Sequence, residues 1–120
     1  MSEANHSDSK MNRIILPSSG SQTVINVDDI VYAKADGSYC RIFFKRNVSC
    51  IIVKPLVFLE EKLNDYPYIM RIHKSYLVNL KEVKNVASNL SHLYINSTEM
   101  LPISRQKKIE VKKILEDFFY

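Results

Sequence analysis

From Arg13 onward the chain is a succession of short extended runs separated by turn signals, with no strand–helix–strand alternation of the βαβ kind. That pattern confines it to a mostly-β architecture. Residues 13–17 (RIILP) and 22–26 (QTVIN) flank Ser18-Ser19-Gly20-Ser21 and predict a hairpin. Residues 30–34 (IVYAK) run into Ala35-Asp36-Gly37-Ser38, where Asp-Gly favours the positive φ of a tight turn. Residues 39–45 and 48–53 predict two more strands around Arg46-Asn47, because β-branched and aromatic side chains dominate both runs. Further strands are expected at 68–73, 77–79, 83–87, 90–95 and 100–103, with turns at Asn89 and Asn96-Ser97.

Two helices interrupt the strands. Pro55 suits the start of the first, since its missing N–H has no partner there. Leu56, Leu59 and Leu63 then form one apolar stripe, and Asp65 and Pro67 end it. Ser104 is the expected N-cap of a final helix over 105–118, where Val111, Ile114, Leu115 and Phe118 share a face. Residues 1–12 are polar and aperiodic and read as a disordered tail or linker remnant, leaving 13–120 as one domain. A chain of 120 residues, 46% of them hydrophobic, can bury a core without metal or disulfide help.

Composition excludes several function classes. Gly20 and Gly37 are the only glycines, and neither lies in a phosphate-cradling pattern. Cys40 and Cys50 are too few for a disulfide scaffold and form no CxxC pair. No apolar run approaches the ~18 residues of a membrane span, and the polar start is no secretory signal. The expected compartment is the reducing cytoplasm. His6, His73 and His92 do not cluster at metal-ligand spacing. His73 and Ser75 share a strand face, but no nucleophile elbow, HExxH or paired carboxylates accompany them. No enzyme activity, metal, cofactor or small-molecule substrate is expected.

The cysteines can be placed by register. If Arg46-Asn47 form a two-residue loop, Lys45 faces Val48, Cys50 faces Phe43 and Cys40 faces Val53. The two thiols then lie on opposite faces and cannot pair. On that reading both are small buried apolar residues.

Two basic segments carry the most chemistry. Residues 71–79 (RIHKSYLVN) bring together Arg71, His73, Lys74, Ser75, Tyr76 and Asn79, a mixture suited to phosphates and bases or to a solvated strand edge. Ser104-Arg105-Gln106-Lys107-Lys108 opens the last helix, with Lys112 and Lys113 one turn on. Lysines at a helix N-terminus oppose the macrodipole, and a docked anion would offset that cost. The net charge of +4 is compatible with such a partner.

These residues also carry a resemblance. RIHKSYLVN, preceded by LVFLEEKLN and followed by LPISRQKK, closely resembles the LytTR family of bacterial DNA-binding domains. DDIVYAKADGSYCRIFF is similar to that family's opening, and the likeness covers about residues 13–118. The resemblance implies an elongated sandwich of short antiparallel sheets with a short central helix and a C-terminal helix. It implies binding of double-stranded DNA, typically direct repeats bound by dimers, with loop side chains entering successive major grooves and the DNA bent. It also implies the output domain of a two-component response regulator that controls transcription. Residues 1–12 are too short for a receiver domain, so an excised output domain or a stand-alone regulator is expected.

Carried onto this sequence, the base-contact candidates are Lys74, Arg105 and Cys40, with Tyr39 beside the last. Arginine can bond two guanine acceptors at once, lysine reaches guanine as a point charge, and Cys40 offers an apolar contact to a thymine methyl. Arg41, His73, Ser75, Lys107 and Lys108 would be phosphate contacts, setting affinity rather than sequence preference. The alternative is a protein-interaction module that uses an exposed strand edge. Single-stranded nucleic acid fits less well, since Tyr39, Phe43 and Phe44 read as strand residues rather than a stacking platform.

Overall fold

A computed structural model describes residues 12–119. The expected tail at 1–11 and the last residue, Tyr120, lie outside the described residues. The strands are β1 (Arg13–Ser18), β2 (Ser21–Asn26), β3 (Ile30–Asp36), β4 (Tyr39–Phe44), β5 (Val48–Ile52), β6 (Ile69–His73), β7 (Tyr76–Asn79), β8 (Asn85–Val86), β9 (His92–Tyr94) and β10 (Met100–Pro102). Helix α1 spans Leu56–Lys62 and helix α2 spans Lys108–Phe119. Among the described residues no helix is long and apolar enough to cross a membrane.

A central antiparallel sheet, in the order β5-β4-β3-β7-β6, is flanked by the β1–β2 ribbon and by a small β10-β9-β8 sheet. The mostly-β expectation holds, and the central sheet is packed on both faces. One face, with Ala33, Cys40, Ile42, Ile52 and Leu77, packs on Leu16 and Ile25 of the ribbon, on Leu56 and Leu59 of α1 and on Leu63, which caps its C-terminus. The other, with Tyr32, Ile72 and Val78, packs on Leu93, Leu101 and Val111. Leu77 and Val78 are neighbours in sequence but point into different cores, as the alternation of a strand requires. The leucine stripe of α1 and Val111, Ile114 and Leu115 of α2 face inward as expected. The side chain of Phe118 lies outside the described part.

The turns decide which side chains reach one end of the sheet. In β3–β4, Asp36 pairs with Tyr39 and Gly37 takes φ +63°, a tight turn with a positive φ at its first central residue. The next connection corrects the expected register. Phe44, not Lys45, pairs with Val48, so the loop is Lys45–Asn47, with Arg46 at φ 65° and Asn47 at φ 60°. One added loop residue moves β5 by one position and turns its side chains over. Cys40 therefore pairs with Ile52 and Ile42 with Cys50, which puts both thiols on the same face, as diagonal neighbours. Both cysteines are free.

The last helix also starts differently. Residues Arg105–Lys107 form a 3-10 turn before α2, and the Ser104 side chain makes no capping bond. Ser104 acts through its backbone instead. Its carbonyl accepts from the Lys107 N–H at 3.0 Å, and its own N–H donates to the Ile72 carbonyl at 2.8 Å.

Candidate nucleic-acid interface

The Ser104–Ile72 bond determines the geometry of the basic surface. β6 is an edge strand of the central sheet. Its pairing with β7 slips between Arg71 and His73, leaving Ile72 without a partner across the ladder. Ile72 keeps its side chain in the second core and offers its carbonyl outward to Ser104. The segment carrying Arg105 is thereby held along β6, beside the turn at Lys74-Ser75. Arg71, His73, Lys74, Ser104, Arg105, Gln106 and Lys107 line the resulting cleft of about 440 Å³. Two segments well separated in sequence, residues 71–74 and 104–107, thus present their cations to one space.

The cleft's cations differ in how they are employed. Lys74 and Arg105 are exposed, and neither side chain is bonded to any described residue. Lys107 pairs with Glu110 at 3.3 Å, an exposed contact of little energetic weight. Lys108 is half-buried at the first turn of α2. His73 accepts the Ser75 N–H on Nδ1 at 3.1 Å, which leaves Nε2–H as its donor. The Ser75 carbonyl accepts from the Ala35 N–H at 2.9 Å, which brings the Lys74-Ser75 turn and the Gly37 turn to the same end of the sheet.

At the third loop the structure moves one expected contact away from the surface. Cys40 is 0% exposed and packs in the first core. Burial, and then the neighbouring Cys50 thiol, push its thiol up to about 11. Its side chain offers nothing to a groove, and the reading of Cys40 as a buried small residue is the one the structure takes. Tyr39, beside it, is 50% exposed at the turn. Arg41 lies on the opposite face of β4 from Cys40, and its guanidinium donates to Ser49 Oγ at 3.3 Å.

Two residues of RIHKSYLVN prove structural. Asn79 is 0% exposed, donates from Nδ2 to the Ile30 carbonyl at 2.9 Å and accepts from the Lys81 N–H at 3.0 Å. Arg71 is directed inward: Nη1 donates to Glu60 Oε1 at 2.8 Å, Nε to the His73 carbonyl at 3.0 Å and Nη2 to the Lys74 carbonyl at 2.6 Å. Glu60, on α1, carried no signal in the sequence that would pair it with Arg71.

Comparison with known proteins agrees with this arrangement. The profile of the LytTr DNA-binding domain matches residues 20–116. The chain is 27% identical over 109 residues to the sensory transduction protein LytT of Bacillus cereus, covering 88% of this chain and 44% of that protein. It is 26% identical over 113 residues to LytT of Bacillus subtilis, covering 92% and 46%. The chain thus spans less than half the length of these relatives. A solved LytTr DNA-binding domain from Bacillus cereus superposes with a TM-score of 0.63 at 15% identity, covering 91% of this chain and 98% of that one. The strand order, the two helices and the profile match lead to one placement: this chain belongs to the LytTr DNA-binding domain family.

Proposed function

We propose that the chain reads duplex DNA through side chains at one end of its central sheet, as the output domain of a two-component response regulator in a bacterial cytoplasm. The observation that carries this is the cleft between the Lys74-Ser75 turn and the Arg105 segment, lined by two exposed cations whose side chains have no bonding partner among the described residues. Arg105 and Lys74 are the base contacts, since a guanidinium bonds both guanine acceptors in the major groove and an ammonium reaches one. Tyr39, exposed on the neighbouring turn, is the third candidate. Arg41, His73, Ser75, Lys107 and Lys108 contact phosphate and set register and affinity.

The loops engage successive major grooves, and two copies of the chain occupy a direct repeat. The relatives named LytT are sensory transduction proteins more than twice the length of the matched segment, which supports the output-domain role.

Selection of purified protein against a randomised duplex library tests the reading. The expected result is enrichment of a direct repeat with centres about one helical turn apart. Weak, indiscriminate retention at low salt, with no enriched sequence, would overturn it.

A further inference from the structure

We propose that Arg71 is a positioning residue that holds the Lys74-Ser75 turn in its reading conformation, with Glu60 as its anchor. The inference rests on the reading of Lys74 as a base contact. Arg71 has the charge of a phosphate contact but not the geometry of one. All three of its guanidinium nitrogens are occupied inside the protein, by one carboxylate oxygen and two main-chain carbonyls. Its side chain is 20% exposed, against 39% for Glu60.

The two carbonyls belong to His73 and Lys74, at the tip where the β6–β7 ladder slips and ends. Lys74 lies in the turn beyond the last ladder pair, His73 with Tyr76, so its carbonyl has no ladder partner; the charged fork gives it one and adds a bond to the His73 carbonyl. The fork is itself held. Glu60 follows Leu59, which is 0% exposed in the first core between Leu56 and Leu63. A continuous path therefore runs from the packed stripe of α1 through Glu60 and Arg71 to the backbone of Lys74. A side chain that reads a base must start from a backbone fixed to a fraction of an ångström. Lys74 supplies the charge, and Arg71 supplies the fixed backbone.

R71K separates this role from a phosphate contact. It keeps the charge but cannot span three acceptors with one ammonium. Amide hydrogen exchange without DNA is the first readout. Faster exchange at Ser75, whose N–H is bonded to His73 Nδ1, by about tenfold, with Leu77 unchanged, is the expected result, since the turn opens locally while the strand does not. Selected duplexes are the second. R71K should relax the same base position that K74A relaxes, leave the salt dependence of binding as it was, and add nothing in the R71K/K74A double variant. E60Q, which leaves Arg71 in place, should give the same pattern at smaller amplitude, and it serves if R71K folds poorly.

Unchanged exchange at Ser75 in both variants overturns the proposal. So does a shallower salt slope with equal loss on all sequences, which marks a phosphate contact, or an R71K effect as large on the K74A background as on the native one. Accelerated exchange in R71K together with an unchanged base preference in K74A supports the clamp and sinks the base-contact reading of Lys74.

Discussion

The Asn79 side chain donates to the Ile30 carbonyl at 2.9 Å from a position with no solvent exposure. The bond joins the end of β7 to the start of β3, and the same amide accepts the Lys81 N–H at 3.0 Å as the chain leaves the sheet. Both backbone groups would lack this side-chain partner without Asn79. Asn79→Ala should therefore destabilise the protein by about 1–3 kcal/mol, the cost of leaving buried polar groups unmade. Urea denaturation measures it. The enriched DNA sequence should not change, since Asn79 does not reach the surface. A shift in base preference without loss of stability would return Asn79 to the interface.

The same residue marks where the sequence stops being informative. Strands, tight turns and both apolar helix stripes were legible, because each rests on local spacing: Leu56, Leu59 and Leu63 face inward as their period demands. The Lys45–Asn47 loop was not, since Arg46 and Asn47 both adopt positive φ and arginine carries no preference for it. That one residue reversed the faces assigned to the cysteines. The basic segments were legible as a pair of candidates, but not the division of labour within them. Arg71 and Asn79 bond to carbonyls, of His73, Lys74 and Ile30. Every residue has a carbonyl, so no side-chain pattern announces which one a polar side chain will meet.

The cysteines give a second prediction, one that also bears on the interface. Thiolate is the reactive form, and burial pushes the Cys40 thiol up to about 11. Cys50 is half-buried; burial raises its thiol too, while the Arg41 charge works against the rise. Iodoacetamide at neutral pH should label Cys50 slowly and Cys40 only after unfolding, as read by peptide mass spectrometry. Native labelling of Cys40 at a comparable rate would place it on the surface and restore it as a groove contact.

Alkali should ionise two phenols late, those of buried Tyr32 and half-buried Tyr68. Tyr32 is pushed up to about 12 by burial and then by Glu99, and Tyr68 to about 12 by burial and then by Asp28. In the unfolded chain a tyrosine titrates near 10. The folded state thus holds these protons more tightly, and the stability they contribute is complete below about pH 10 and falls away as pH rises toward 12. Denaturation midpoints should be flat with respect to these groups up to about pH 9 and decline above 10. Y32F should shrink that decline. An alkaline decline that Y32F leaves unaltered would remove Tyr32 as one of its causes.

Arg105 and Lys108 separate reading from holding. They lie three residues apart at the 3-10 turn and the start of α2, Arg105 exposed on the cleft and Lys108 half-buried outside its lining. A guanidinium facing guanine contributes to one base position, so Arg105→Ala should weaken the preferred duplex by roughly 1–3 kcal/mol and relax that position. An ammonium on phosphate contributes to every sequence alike. Lys108→Ala should weaken all duplexes to a similar degree and lower the slope of log affinity against log salt by about one. Titrations of both variants against the selected site and a scrambled duplex, at several salt concentrations, distinguish the two roles. If Arg105→Ala keeps the native base preference and instead flattens the salt slope, Arg105 holds the backbone, and base reading at the cleft falls to Lys74 alone.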